Sequence, residues 1–404
     1  MDLPGCVAEA LDRSRDLSLR QAQVAAREAA LSVSRKDLYP GLGAAYTARH
    51  QPDASLLGPE GYFSYSLSLS QPVYRGEALV TTVDVRALEV DEARLNLGRT
   101  RQDVVRDVSA AYFELLRSGK VEAEAEQAVE RLAAHVRDAQ AFFDAGLIPK
   151  NDLLLSEVQL AQGRQDWARA RLGTALARTR LNIFLLRPAD QDLAVADILT
   201  YAPHNRTWEG VLALALERRA EIQAARVGVQ RADKGITLAD APFRPAVTLS
   251  AQYLKQGDEP FASPYPSGPE EVKTVQASLE WHFWSWGQRD DARGQARQEW
   301  RQAEIAVDQI KDGVIVQVRQ AFLALLEAEG NIGVTRKAIE QAEENYRLSQ
   351  ARYQAQLATS TEVLDAQTLL TQARTNYFNA LYGYNRALVE LDWACGVLDG
   401  GGAG

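Results

Sequence analysis

The 404-residue sequence has few cysteines, a single methionine and no long hydrophobic run. Its two cysteines, Cys6 and Cys395, are too few for a disulfide-stabilised scaffold. No stretch of about 18 consecutive apolar residues occurs, which excludes a transmembrane helix. A basic segment followed by an apolar one is also missing, so this numbering contains no secretory signal. We interpret Met1 as a start residue placed before a mature chain.

Motifs of enzymes and metal sites are missing as well. The four histidines have no ligand spacing and predict no metal site; they are His50, His135, His204 and His282. Neither a Walker loop nor a Gly-x-Ser-x-Gly nucleophile elbow occurs. The net charge of -9, without a basic stripe, argues against nucleic acid as a partner. We therefore predict that the protein is not an enzyme and needs no cofactor.

The sequence does contain segments that alternate between apolar and polar residues. The clearest is FSYSLSLSQPVY at residues 63–74, where Phe, Tyr and Leu alternate with Ser. Such a period of two puts all apolar side chains on one face of a strand. Similar alternation predicts four strands, over about 41–49, 62–73, 246–255 and 272–284. Strands of about ten residues with one apolar face match a transmembrane β-barrel, and an ordinary antiparallel sheet with one wet face is the alternative.

The apolar register of these strands would face lipid in the membrane interpretation. It contains Leu67, Leu69, Leu249 and Leu279. The cluster of Trp281, Trp284 and Trp286 fits an interfacial aromatic belt, with a ligand platform as the alternative. Four strands cannot close a barrel, and an open edge is not tolerated in hydrocarbon. The membrane interpretation therefore requires an obligate oligomer.

The chain also repeats itself with an offset of 210 residues, which pairs Leu115 with Leu325 and Leu154 with Leu364. Each half has the same order of features: a helical run (7–38 or 208–241), a proline, two strands, a long helix, a short turn and a last helix. We predict repeats over 1–200 and 201–404, with long helices over about 76–145, 150–186, 287–355 and 360–395. A helix of about 70 residues extends about 100 Å, which predicts a coiled-coil-like array rather than a globular core.

Several segments resemble TolC-type outer-membrane efflux proteins. LSLSQPVYRG is similar to that family's strand-to-helix junction, and FFDAGLIPKNDLLLSEVQLAQGR and RYQAQLATSTEVLDAQTLLTQAR are similar to its two helix-turn-helix tips. The resemblance covers essentially the whole chain. It implies a mainly α fold with a membrane β-barrel: a homotrimer whose four strands per chain complete a twelve-stranded barrel, continued by a long α-helical coiled-coil barrel.

The same resemblance implies a function. The protein would be a passive exit duct in the outer membrane of a Gram-negative bacterium, with a periplasmic helical portion. It would serve an efflux pump or a type I secretion system by docking on a periplasmic membrane-fusion adaptor and an inner-membrane pump or secretion ATPase. A soluble, rod-like periplasmic scaffold with a small sheet is the alternative.

The resemblance also assigns roles to residues at the two tips. It implies adaptor binding by Gly146, Leu147, Ile148, Leu357, Ala358 and Thr359, with a mere connecting turn as the alternative. Glu362 and Asp365 share one helix face and match the family's periplasmic constriction acids, while Asp152 occupies the Glu362 position in the first repeat. A solvated charged face is the alternative. Gln356 stands where the family has glycine, which leaves the geometry of the second turn open.

The resemblance places both chain ends near the middle of the helical duct. Cys6 and Cys395 would then either form a disulfide or remain separate apolar fillers. Leu3-Pro4-Gly5-Cys6 also resembles a lipoprotein cleavage box, although no hydrophobic segment precedes it.

Overall fold

The computed structural model describes residues 1–50, 61–257 and 271–398. The loops predicted between the two strands of each half lie mostly outside these residues. The described helices are α1 (Leu3–Arg13), α2 (Arg15–Lys36), α3 (Ala78–Asp144), α4 (Lys150–Phe184), α5 (Trp208–Arg218), α6 (Ala220–Asp240), α7 (Gln288–Gln354) and α8 (Ser360–Ala394). The described strands are β1 (Gly41–His50), β2 (Gly61–Arg75), β3 (Ala246–Gly257) and β4 (Glu271–Glu280).

Each half begins with two helices, where the sequence predicted one. Ser14 separates α1 from α2, and its side chain accepts a hydrogen bond from the backbone N–H of Leu17 at 3.3 Å. Arg219 separates α5 from α6 with an extended backbone, at φ -60° and ψ 122°. Its guanidinium donates to the carbonyls of Trp393 and Ala394 at the end of α8. The second break is therefore stabilised by contacts distant in sequence, which a local helix pattern does not reveal.

The long helices recur with the predicted offset. Helices α3 and α4 span 67 and 35 residues, and α7 and α8 have the same lengths, each beginning 210 positions later. Positive φ angles, which L-residues rarely adopt, recur with the same offset. The pairs are Gly76 with Trp286, Glu77 with Gly287, Gly146 with Gln356, and Leu186 with Gly396. The two halves therefore share backbone geometry, whereas the boundary proposed at residue 200 stays a prediction.

The four strands form one antiparallel sheet in the order β1-β2-β3-β4. Residues directly opposite each other in a sheet point to the same face. Leu67 lies opposite Ala44 on β1 and Tyr253 on β3. Leu249 on β3 lies opposite Ala277 on β4. The apolar registers of all four strands are therefore in phase and form one largely apolar face, which also contains Gln71 opposite Leu249 and Lys273 opposite Tyr253.

Strand β4 ends at Glu280, four residues before its predicted end at about 284. The indole N–H of Trp281 donates to the carbonyl of Phe243, 3.2 Å away. Residues beyond Glu280 therefore leave the strand for the segment that leads into α7. The side chains of Trp281, Trp284 and Trp286 are exposed at this end, and the aromatic belt stays a prediction.

The described chain divides into two compact units, each built from both halves. One consists of residues 1–19, 97–222 and 311–404, and contains both chain ends and the helix-turn-helix tips. The other consists of residues 20–96 and 223–310, and contains the sheet. In the described ranges, none of the helices combines the length and the apolar content needed to cross a membrane.

In the unit with the sheet, the junctions between strands and helices are held by a buried carboxylate. Asp240, at the end of α6, accepts hydrogen bonds from Arg244 and Arg289. These arginines, with Arg289 contributing most, lower the pKa of Asp240 to about 2. Arg244 also pairs with Glu77 at 2.8 Å. A Cβ on the neighbouring Gly76 would stand 2.3 Å from a backbone oxygen, so this junction tolerates only glycine.

Candidate functional site

The two tips have the same backbone turn. At the end of α3, Gly146 donates to Phe143 and Leu147 donates to Phe142, with Gly146 at φ +73°. This pair of bonds is a Schellman motif, which requires a left-handed residue after the helix. At the end of α7 the same two bonds form 210 positions later, with Gln356 at φ +60°. The departure from glycine therefore leaves the turn geometry unchanged.

The helices after the two turns begin differently. Helix α8 starts with a capping box, in which Thr359 accepts from the N–H of Glu362 and the Glu362 carboxylate accepts from the N–H of Thr359. Helix α4 starts after Pro149, which provides no side-chain cap. Proline has neither a hydroxyl to cap the helix nor an N–H to donate. The predicted acid Asp152 therefore has no capping partner equivalent to Thr359.

Of the three predicted constriction acids, Asp152 and Glu362 lie in the first turns of α4 and α8, and Asp365 lies in the second turn of α8. Glu362 is exposed and is engaged in the capping box, with Arg352 at 3.7 Å as a weak ion-pair partner. Asp365 is exposed, and none of the described residues forms a hydrogen bond or ion pair with its carboxylate. Asp152 is partly buried. The pKa of Tyr353 is raised mainly by burial and secondly by the negative charge of Asp152. Within one chain, Asp365 is therefore the one of these three acids whose carboxylate is most accessible to a cation.

A buried polar cluster joins the two tips within one chain. We call the helix pair α3–α4 the first hairpin and the pair α7–α8 the second hairpin. The Nε2 atom of His135 lies 2.8 Å from the Oγ atom of Ser360, which lies 3.0 Å from the Oγ atom of Ser156. The rings of His135 and Tyr353 are 4.9 Å apart. All four side chains are buried, and we refer to them as the tip cluster.

An ionic network lies nearby in sequence and joins the same hairpins. Glu124 on α3 is only 4% exposed and accepts hydrogen bonds from Arg131 at 2.5 Å and from Arg374 on α8 at 3.1 Å. Arg374 also donates to Glu343 on α7 at 2.7 Å. Arg131 donates to the side-chain oxygen of Gln367 on α8 at 3.0 Å. We refer to these five residues as the ionic network, and it connects α3 to both helices of the second hairpin.

Neither of these groupings was predicted from the sequence. A signal was nevertheless present on α3, where buried residues recur at heptad-like spacing: Glu124, Ala128, Leu132, His135 and Ala139. A carboxylate and an imidazole in such a stripe need partners when they are buried. Arg131 lies on the same helix, but the other two partners, Arg374 and Ser360, lie on α8, more than 200 positions away in sequence.

The predicted lipid-facing residues all lie in the apolar register of the sheet. Leu67 and Leu279 are 59% and 69% exposed, and Leu69 and Leu249 are exposed as well. In an isolated chain this face is therefore uncovered. The opposite face contains the serines of β2, where Ser250 on β3 lies directly opposite Ser70.

Both cysteines are free, so the structure contains the unbridged alternative. Cys6 lies within α1 and Cys395 follows α8, where its Sγ atom donates to the carbonyl of Val211 at 3.6 Å. Burial raises the pKa of each thiol to about 11, which keeps it protonated at neutral pH. Cys6 is completely buried, and the lipoprotein interpretation stays a prediction.

Three or more His, Cys, Asp or Glu residues arranged to hold a metal ion are not found in the described part of the chain. The buried carboxylates of Glu124, in the ionic network, and of Asp240 are paired with arginine instead. The arrangement offers ion pairs, exposed turns and an apolar sheet face, which are features of a binding or conducting structure.

Comparison with known families gives a match over most of the chain. The family described as "Outer membrane efflux protein" matches residues 6–185 and 211–397. A relative, "Outer membrane protein TolC" of Vibrio cholerae serotype O1, is 25% identical over 405 residues, which cover 95% of this chain and 87% of the relative.

Solved structures are similar over nearly the whole chain. The outer membrane protein VceC of Vibrio cholerae superimposes with a TM-score of 0.83 at 19% identity, covering 98% of this chain and 96% of VceC. The open state of the MtrE outer membrane channel of Neisseria gonorrhoeae gives a TM-score of 0.82 at 19% identity, covering 98% and 88%. At this level of identity, the similarity demonstrates a shared fold.

Proposed function

Because the chain belongs to the outer membrane efflux protein family, we propose that it is the outer-membrane exit duct of a tripartite efflux pump or of a type I secretion system. Its place is the outer membrane of a Gram-negative bacterium, and it is a transport channel rather than an enzyme. The soluble scaffold considered from the sequence is not supported by the family assignment.

The observation that best supports the duct is the open sheet with one apolar face. Strands β1 and β4 are its edges, and they run in opposite directions because the sheet is antiparallel throughout. The β4 edge of one chain therefore suits the β1 edge of another. Three chains would contribute twelve strands and close a barrel with no free edge. Leu67, Leu69, Leu249 and Leu279 would then contact outer-membrane lipid.

We place the adaptor contact at the two tips. Leu147 and Leu357 occupy equivalent positions in the turns and are 53% and 69% exposed. Two exposed leucines at equivalent turns suit a partner that covers both, such as the hairpin of a periplasmic adaptor. Gly146, Ile148, Ala358 and Thr359 complete the turns. The adaptor would in turn connect the duct to the inner-membrane pump or secretion ATPase.

Aspartate at both Leu147 and Leu357 is expected to abolish export while the trimers remain in the outer membrane, because two charges replace the apolar contact. The test measures export of the pump's own substrate and the amount of trimer in isolated membranes. Normal export by the double variant would contradict adaptor binding at these leucines.

We place the periplasmic constriction at Glu362 and Asp365, with Asp152 beside them. Rings of carboxylates favour cations in a pore. Glu362→Gln combined with Asp365→Asn is expected to weaken cation selectivity and block by multivalent cations, measured on the purified trimer in a planar bilayer. Glutamine retains the capping box, so the start of α8 is preserved.

The matched control removes the same number of charges from exposed positions on α1 and α2, as Asp12→Asn with Asp16→Asn. It should leave selectivity close to that of the parent protein. Equal selectivity of the parent and the Glu362/Asp365 variant would show that these acids do not line the constriction. Absence of any ion conductance from well-folded trimers would contradict the duct itself.

A further inference from the structure

The tip cluster is the place where one chain holds its two hairpins together through buried, uncharged polar groups. His135 belongs to α3 and Ser156 to α4, whereas Tyr353 belongs to α7 and Ser360 to α8. Ser360 lies within hydrogen-bond distance of both side chains of the first hairpin. Because all four side chains are buried, the contact exists only while the hairpins are together.

We propose that His135 makes the contact between the two hairpins sensitive to pH, so that its protonation at mildly acid pH favours separation of the tips. The proposal rests on the duct function and concerns how its periplasmic end is regulated. In this proposal, the imidazole of His135 lies between the first and second hairpins. Separation of the two hairpins would open the periplasmic end of the duct.

The surroundings of His135 offer little compensation for a positive charge. Helix α7 faces it with the ring of Tyr353, and helices α4 and α8 face it with the hydroxyls of Ser156 and Ser360. On its own helix, the carboxylate of Asp138 acts on it. On α4, the carboxylate of Asp152 acts on the neighbouring Tyr353.

These surroundings decide the direction of the effect. Burial lowers the pKa of His135 below its ordinary value of 6.5, and Asp138 only partly opposes this. Once the hairpins separate, water reaches the ring and the pKa returns towards 6.5. The separated form therefore binds the proton more tightly than the closed form. By linkage, the contact is most stable above about pH 6.5 and weakens as the pH falls below it.

The size of the effect follows from the same difference in pKa. Between pH 7.5 and pH 5.5, a group that titrates near 6.5 only in the separated form shifts the equilibrium by about tenfold per chain. That shift is an upper estimate, because it assumes that His135 stays neutral in the closed form.

The first measurement is the open probability of the purified trimer in a planar bilayer at pH 7.5 and pH 5.5. The parent protein should open several-fold more often at pH 5.5. His135→Gln keeps a hydrogen-bonding side chain that cannot be protonated, so it should lose this response. His204→Gln is the matched control, since the side chain of His204 is only 8% exposed but contacts Glu329 rather than the tip cluster. It should respond as the parent does.

The second measurement is hydrogen exchange of peptides that cover residues 353–360, corrected for the intrinsic effect of pH. The parent should lose up to about tenfold in protection between pH 7.5 and pH 5.5. This measurement does not need conductance, so it tests the switch even if the protein conducts no ions. It also needs only the parent protein, so it applies if His135→Gln does not fold.

Equal protection at both pH values would overturn the proposal, and so would an unchanged acid response in His135→Gln. By contrast, folded trimers that never conduct, yet lose protection at acid pH, would contradict the duct function and leave the switch intact.

Discussion

Replacing Glu124 with alanine is expected to lower the free energy of unfolding of the helical part by about 3 kcal/mol, at the lower end of the range for breaking a buried ion pair. Glu124 is almost completely buried and accepts from both Arg131 and Arg374. Alanine would leave two guanidinium groups facing each other without their shared carboxylate. The estimate is at the lower end because both arginines are partly exposed, so water replaces some of the lost interaction. Urea unfolding of the purified protein, followed by circular dichroism, measures the loss.

Glu343→Ala provides the matched control. Glu343 pairs with the same Arg374 at 2.7 Å, but its side chain is 48% exposed. Exposed ion pairs contribute less than about 1 kcal/mol, so this variant should unfold close to the parent protein. Similar losses in the two variants would mean that burial of Glu124 does not determine the strength of the ionic network.

Arginine at Leu67 is expected to destabilise the protein in a membrane by about 2–4 kcal/mol, the cost of a charge near the middle of a barrel's lipid face. Leu67 has apolar neighbours on both adjacent strands, Ala44 and Tyr253, so it lies inside the apolar face. Urea titration of the folded protein in lipid vesicles measures the cost.

Ser66→Arg tests the adjacent position on the opposite face. Ser66 lies opposite Ala45 and Leu254, and in a closed barrel this face would line water. Arginine should be tolerated there. If both variants lose the same free energy, the apolar register does not contact lipid.

The sequence predicted the long elements well because each repeats its pattern many times. In β2, apolar and polar residues alternate with a period of two, and in α3 and α7 the helical pattern is uninterrupted. Such patterns leave few alternatives for the secondary structure of these segments. The helix breaks at Ser14 and Arg219 were missed, since serine and arginine are both acceptable inside a helix. The break at Arg219 depends on carbonyls of α8, about 175 positions away, which no local pattern reveals.

The site was predictable only where chemistry is local. The positions of the two turns follow from short motifs, although Gln356 left the geometry of the second turn open until the structure showed it. The capping box of Thr359 and Glu362 is readable in the sequence. The tip cluster and the ionic network depend on which helices pack together. His135 is one of four scattered histidines in the sequence, and it acquires a specific environment only when α8 places Ser360 beside it.

The residues with positive φ, which recur in pairs 210 positions apart, indicate how backbone strain could be relieved by engineering. In each of the four pairs one half has glycine and the other half has a larger residue, namely Glu77, Leu186, Trp286 and Gln356. The two halves thus share backbone conformation at positions where they do not share side-chain identity. A left-handed residue with a Cβ costs about 1–2 kcal/mol. A consensus built from the chain's own two halves therefore specifies the glycine that would relieve each strained position.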